Sequence, residues 1–271
     1  MFDQAARFAG DAIPAYYDSG LGPLLFADYA ADLARRAVAA RPDRVLEIAA
    51  GTGIVTRRLR DALPRSAHLV ASDLNLSMLK IARQKFDVAE NVEFELADAA
   101  ALPFADRIFD AIVCQFGVMF FPDKDKAYRE AFRVLAPGGC YHFNVWDSFD
   151  FNAFARVTHE TVGRFFAENA PAFFTVPFGY HRIDPIKASL IAAGFGNIAA
   201  HVVRIEKMIT NARSFAQGLI LGNPIAAEIE ARGAARPAAI MAALAAALQR
   251  EFGPDSGCTT MQAIVFAAQK P

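Results

Sequence analysis

The feature that most limits what this chain can fold into is a short β run that ends in a glycine turn and passes straight into a helix. Arg44-Val45-Leu46-Glu47-Ile48 leads into Ala49-Ala50-Gly51-Thr52-Gly53, and a helical pattern then runs from Ile54 to about Leu63, where Pro64 breaks it. The alternation continues with strand His68 to Ser72, helix Ser77 to Phe86, strand Val92 to Leu96, strand Phe109 to Gln115 and helix Lys124 to Leu135. Pro137-Gly138-Gly139 then turns the chain into a fifth strand, Cys140 to Val145. Strands alternating with helices predict parallel strands joined by crossovers, an α/β sheet covered on both faces. A further helix over Phe26 to Ala40, apolar at Phe26, Tyr29, Ala30, Leu33 and Val38, precedes the first strand and is stopped by Arg41-Pro42-Asp43.

Beyond Trp146 the rhythm changes. Ser148 to Asn169 reads as helical and rich in phenylalanine, Pro171 to Asp184 as a loop, and Asp184 to Ala193 as a helix stopped by Gly194. A strand over Ile198 to Ile209 follows, then helices from Ser214 to Phe252 broken at Gly222-Asn223-Pro224 and at Gly233, and a last strand over Thr260 to Ala268. The expected organisation is one domain over 1–271, with a ligand-binding core at 41–147 and helical insertions at 148–193 and 211–255. With 54% hydrophobic residues, 271 residues suffice for one large core.

A net charge of -1, without a run of five basic residues, argues against nucleic acid and anionic membrane surfaces as partners. Ala238 to Leu248 is apolar but shorter than the roughly 20 residues a membrane span needs. Met1-Phe2-Asp3-Gln4 lacks the basic-then-apolar pattern of a secretory leader. Cys114, Cys140 and Cys258 form no C-x-x-C pair, so reduced thiols packed in a core, a cytoplasmic setting and no metal are expected.

Ligands of open α/β sheets sit at the carboxyl ends of the strands near the point where strand order reverses. The first strand ends in Glu47 and the Gly51-Thr52-Gly53 turn, whose glycines let backbone approach a ligand. The second ends in Asp73, about 20 residues beyond the glycines, where a carboxylate can accept from both hydroxyls of a ribose. The third ends in Asp98-Ala99, an acceptor beside a backbone donor that suits an adenine edge, and the fourth in Gln115-Phe116-Gly117. A carboxylate at Glu47 would repel a pyrophosphate and attract a cation, and Thr56 stands where a dinucleotide fingerprint has its third glycine.

Together these segments resemble the class I S-adenosylmethionine-dependent methyltransferases. Val45 to Gly53 looks like their first motif, Leu96-Ala97-Asp98-Ala99 with Leu102-Pro103-Phe104 like their adenine-side segment, and Val134-Leu135-Ala136-Pro137-Gly138-Gly139 like their turn before the fifth strand. The likeness runs from Leu33 to Trp146 and is closest to the small-molecule branch that includes the quinone-biosynthesis (type 11) enzymes. It implies a Rossmann-like, seven-stranded, mostly parallel sheet with an antiparallel C-terminal strand and a helical cap. It further implies that S-adenosylmethionine, and S-adenosylhomocysteine after transfer, is held by Glu47, Gly51, Thr52 and Gly53 at the methionine end and Asp73 at the ribose. Leu74 and Met78 would lie on the adenine face, Asp98 and Ala99 at its edge, and Gln115 with Phe116 near the transferable methyl. Ala49 departs from the pattern, standing where the family usually has its first glycine.

Methyl transfer from a sulfonium is chiefly a matter of holding nucleophile, methyl and sulfur in line, and such positioning is worth about 7–11 kcal/mol. An oxygen nucleophile would benefit from a general base, for which His159 and His181 are candidates. Phe149, Phe151, Phe154, Phe165, Phe166, Phe173, Phe174 and Phe178, with Phe116, Met119 and Phe120, favour a small apolar or aromatic acceptor. Tyr16 and Tyr17 are candidates for a lid. Two other readings stand beside this one: an NAD(P)-dependent oxidoreductase and a non-catalytic S-adenosylmethionine-binding protein. A homodimer is left open.

Overall fold

A computed structural model describes residues 13–233, 236–253 and 257–271; Met1 to Gln4 lie outside the described residues. Helix α1 (Ile13–Tyr16) runs into a π-helical segment, Tyr17–Phe26, and then α2 (Ala27–Val38). The first half continues as β1 (Arg44–Ile48), α3 (Ile54–Ala62), β2 (His68–Asp73), α4 (Leu76–Arg83), β3 (Val92–Leu96), β4 (Phe109–Gln115), α5 (Lys124–Val134) and β5 (Leu135–Trp146). The second half comprises α6 (Ala153–Gly163), α7 (Ile183–Ala192), β6 (Gly196–Ile209), α8 (Ala212–Leu221), α9 (Ile225–Arg232), α10 (Pro237–Phe252) and β7 (Gly257–Gln269).

All seven strands form one sheet in the order β3-β2-β1-β4-β5-β7-β6. Strands β1 to β5 pair in parallel, and β7 runs antiparallel between β5 and β6. Central parallel strands are covered on both faces, and Val45, Leu46, Ile112 and Val113 are accordingly buried. One core lies between the sheet and α2 and α3, where Ala30, Leu33, Val55 and Leu59 meet Val45, Leu69 and Val113. The other, larger core joins the opposite face to the C-terminal helices. Strand order reverses between β1 and β4, which opens a crevice at their carboxyl ends.

Two expectations about the elements change, and one element was not expected. The helix expected over Ser148 to Asn169 is shortened to α6, because buried Asn152 ties the connection down. Its Nδ2 donates to the carbonyls of Asp147, Ser148 and Gln262, its Oδ1 accepts from Gln262 N, and the helix starts only at Ala153. The Pro137-Gly138-Gly139 turn becomes a bulge inside β5: Leu135 already pairs with Phe109, and pairing resumes at Ala111 with Cys140. The π-helical segment is new. It crosses α8 so closely that a Cβ on Gly20 would lie 3.3 Å from the Gly218 Cα, and Pro23, which has no N–H to donate, sits inside it.

Candidate active site

A continuous cavity enclosing about 1190 Å³, open mouth included, occupies the crevice. Its sheet end is lined by Ala49, Gly51, Asp73, Leu74, Met78, Asp98, Ala99, Gln115 and Phe116, the residues expected there, together with Asn75, Ala97 and Gly117. The opposite end is aromatic, with Phe120, Phe154, Phe173, Phe174, Phe178 and Trp146. Of the phenylalanines picked out in the sequence, Phe149 instead stacks behind Phe178, Phe166 is core and Phe151 is exposed.

Asp73 is the best-defined polar group in the cavity. Its Oδ2 accepts from the Gly51 amide and its Oδ1 from the Asn75 amide, each at 2.8 Å, so the turn after β1 is tied to the end of β2. Burial raises its pKa, and the amides of Asn75, Gly51 and Leu74 partly offset the rise. Each carboxylate oxygen has a second acceptor position, which suits a pair of vicinal hydroxyls. A Cβ on Gly51 would have no atom within 4 Å, so the turn leaves room for a ligand against its backbone.

Three expected cofactor residues take other places. Glu47 is 1% exposed beneath the turn and does not line the cavity. Burial pushes its carboxyl up to about 8; Thr56 draws it down and the Asp73 charge adds to the rise. At neutral pH it is mostly protonated and places no full negative charge beneath the turn. Thr52 turns away and donates from Oγ1 to Asp18 at 2.6 Å. Gly53, at φ 82°, packs where a Cβ would meet the Ala82 Cβ at 3.0 Å, so its smallness serves the contact of α3 with α4.

Strain gathers at the crevice. Ala49 (φ 56°) and Phe116 (φ 51°) both adopt left-handed backbone where β1 and β4 end, a conformation that costs a non-glycine residue about 1–2 kcal/mol. Packing holds them there. The Phe116 ring stacks on Trp146 at 4.0 Å, its amide donates to Asn144 Oδ1 at 2.9 Å, and the Ala49 methyl lies over Gly117.

The π-helical segment covers the cavity from the side and lines it with Tyr17, Leu21, Leu25 and Phe26. Asp18 fastens it by accepting from Thr52 and from Lys85 Nζ. Of the two tyrosines expected as a lid, Tyr17 lines the cavity and Tyr16 is on the outside. Burial first, then the Asp73 and Asp18 charges, push the Tyr17 hydroxyl well above its ordinary value, so it stays protonated.

Neither candidate base reaches the cavity. His159 stacks on Phe149 at 5.5 Å, and the His181 Nδ1 lies 3.0 Å from the Phe178 carbonyl; both are absent from the lining. Among the described lining residues the ionisable ones are Tyr17, Asp73 and Asp98, and the side-chain amides are those of Asn75, Gln115 and Asn223. Gln115 Nε2 donates to the Phe26 carbonyl at 3.3 Å, while its buried Oε1 has no partner. Asn223 and Leu219 were legible only as a helix break at Gly222-Asn223-Pro224, and Trp146 only as the end of a strand. The thiols also divide: Cys114 is buried beneath Gly117 and pushed up to about 12, whereas Cys258 is exposed rather than packed in the core.

A carboxyl raised by folding stabilises the fold while it is protonated, and that contribution is lost as pH climbs from the unfolded value toward 8. Glu47→Gln keeps the shape and removes the titration. The variant's stability relative to the native chain is therefore expected to rise between about pH 5 and 8, read from denaturant midpoints across that range; a flat difference would show that Glu47 is ionised throughout.

Comparison with known proteins bears on the family and the fold. Residues 45–139 match a family model described as a methyltransferase domain. The chain is 34% identical over 177 residues to a ubiquinone/menaquinone biosynthesis C-methyltransferase UbiE of Cronobacter sakazakii, spanning 58% of this chain and 68% of that protein. A Brucella anthropi protein of the same name is 40% identical over 127 residues, which cover 41% of this chain and about half, 48%, of that relative. Among solved structures, a Haemonchus contortus phosphoethanolamine N-methyltransferase 2 bound to S-adenosyl-L-methionine superposes with a TM-score of 0.62 at 16% identity, over 100% of this chain and 60% of that one. A [4+2]-cyclase, SpnF, superposes with a TM-score of 0.60 at 20% identity, over 100% of this chain and 97% of that one. At such identities these structures bear on the fold alone.

Proposed function

The chain belongs to the class I S-adenosylmethionine-dependent methyltransferases, and on that premise we propose that it methylates a small, flat, apolar or aromatic acceptor that brings its own activated nucleophile. The observation that carries this reading is the cavity itself: a ribose-competent carboxylate, Asp73, shares it with a cluster of phenylalanines, and its described lining holds no histidine, cysteine, lysine or arginine, only Tyr17, Asp73 and Asp98 among ionisable side chains.

When bound, S-adenosylmethionine supplies a methyl group on a positively charged sulfur. Asp73 would hold the ribose, Leu74 and Met78 the adenine face, and Asp98 with the Ala99 amide the adenine edge. Ala49, Gly51, Gln115 and Phe116 would lie along the methionine end. Gln115 lines the cavity, and its buried Oε1 has no protein partner. Phe120, Phe154, Phe173, Phe174 and Phe178 exclude water and press a planar acceptor into place, and Asn223 can orient one polar substituent. The chain's contribution is thus positioning, worth about 7–11 kcal/mol when the reacting atoms are aligned. The acceptor's proton would be lost before transfer, as from a phenol, an enol or a thiol, because no histidine is in the described lining and its two carboxyl groups, Asp73 and Asp98, are taken up by the cofactor. The relatives named C-methyltransferases fit an enolate-like carbon nucleophile. A cytoplasmic setting suits three unpaired thiols, and the charge balance that disfavours nucleic acid supports a small-molecule acceptor. Among the described residues no helix is long and apolar enough to cross a membrane.

The test is methyl transfer from labelled S-adenosylmethionine to a panel of hydroquinones, phenols and thiols, followed by mass spectrometry of the product. His159→Ala and His181→Ala are expected to keep the rate within about twofold of the native chain, and the pH profile to follow the pKa of the acceptor. Loss of activity in either variant, with folding intact, would overturn the base-free reading.

A further inference from the structure

We infer that β6 is a dimerisation edge, along which two copies of this chain pair antiparallel and join their sheets into one. The inference concerns a surface remote from the cavity and does not rest on the methyl-transfer reading.

Strand β6 closes the sheet on one side, pairs with β7 from Ala199 to Ile209, and has no strand beyond it among the described residues. Its odd-numbered side is engaged with α2: Lys207 forms an ion pair with Asp28 at 2.6 Å, and Val203 packs with the core beneath that helix. From Val202 to Met208 the even-numbered side is open. Val202 is 56% and Met208 50% exposed, and Arg204 and Glu206 between them are exposed too. Arg204 has one long contact there, 3.4 Å to Thr260 Oγ1.

The order of these four residues is self-complementary about Ile205. A two-fold axis through Ile205 sets Arg204 opposite Glu206 of the partner subunit, and Val202 opposite Met208 of the partner subunit. Residues directly opposite in an antiparallel pair point to the same face, so each charge meets its counter-charge and each apolar group another apolar group. Slipping the register by two residues either way along the pair would oppose Arg204 to itself or Glu206 to itself, so the charges also select the register. Isolated charges on an edge strand ordinarily block pairing. Here the one lysine on the strand is tied back to Asp28, and the remaining pair of opposite sign suits an isologous contact.

Sedimentation of the full chain tests this directly. The native chain is expected to show a concentration-dependent monomer–dimer equilibrium. Arg204→Glu and Glu206→Arg are each expected to weaken it at least tenfold, and the double variant to restore it, because reversing both charges recreates the match. Far-ultraviolet circular dichroism should stay native, and melting temperatures read at concentrations where the native chain is monomeric should be unchanged, since both side chains are exposed. A disulfide trap reads the register: in a Cys258→Ser background, needed because Cys258 sits beside Met208 on β7, Val202→Cys with Met208→Cys should link two chains on oxidation and Val202→Cys alone should not. A native chain that sediments only as a monomer, single variants that dimerise unchanged, a double variant that stays monomeric, or a trap that fails would each overturn the inference.

Discussion

Asp73→Ala is expected to weaken S-adenosylhomocysteine binding at least tenfold, and on the order of a hundredfold if both ribose bonds are lost. A hydrogen bond to a charged group is worth about 1.5–3 kcal/mol, and 1.4 kcal/mol is a factor of ten in affinity. The effect has two sources here. The carboxylate is the group placed to receive the ribose hydroxyls, and it also accepts from the amides of Gly51 and Asn75, which shapes the turn against which the rest of the ligand would lie. Asp73→Asn separates them: the amide oxygen can keep one backbone bond while the charge is lost, so an intermediate affinity is expected. Unchanged affinity in Asp73→Ala, measured calorimetrically on folded protein, would remove the ribose assignment.

Gly117→Ala is expected to destabilise the fold by about 1–3 kcal/mol, the usual range for overpacking, and to impair ligand binding as well. Its Cβ would stand 2.6 Å from the Ala49 Cβ and 2.7 Å from the Cys114 Sγ. Neither can withdraw easily, because Ala49 has no rotamer to change and Cys114 is fully buried. The glycine therefore accommodates the alanine at position 49. Ala49→Gly alone is expected to shift stability by less than about 1 kcal/mol, as relief of the left-handed alanine is set against a freer unfolded chain. Placed in the Gly117→Ala background, it removes one of the two collisions and should recover part of the loss. Denaturant midpoints of the three variants read this coupling; strictly additive effects would show that the two positions do not press on each other.

The parallel half of the sheet was legible because each of its elements carries a local signal: apolar β runs in the centre, helical spacing between them, glycine or proline at the joints. The cavity residues at strand ends followed from the same frame, since topology fixes where carboxyl ends point, and Asp73, Asp98, Ala99, Gln115 and Phe116 duly come together. What escaped depends on contacts distant in sequence. Nothing local reveals that Asn152 will reach Gln262 and delay a helix, or that Gly20 will cross against Gly218 and bring Tyr17 over the cavity. Direction was hidden too. Glu47 and Thr52 lie in the right motif, yet one side chain is sealed below the turn and the other points to Asp18. Neither candidate histidine is in the cavity lining for a similar reason: position along the sequence does not say which face of an element looks inward.

The most direct measurement is calorimetric titration of the unaltered chain with S-adenosylhomocysteine and, separately, with NADH. Saturable one-to-one binding of S-adenosylhomocysteine, with no heat from NADH, is the result expected of a cavity built around Asp73 for an adenosyl sulfur compound. Saturation by NADH with indifference to S-adenosylhomocysteine would contradict it.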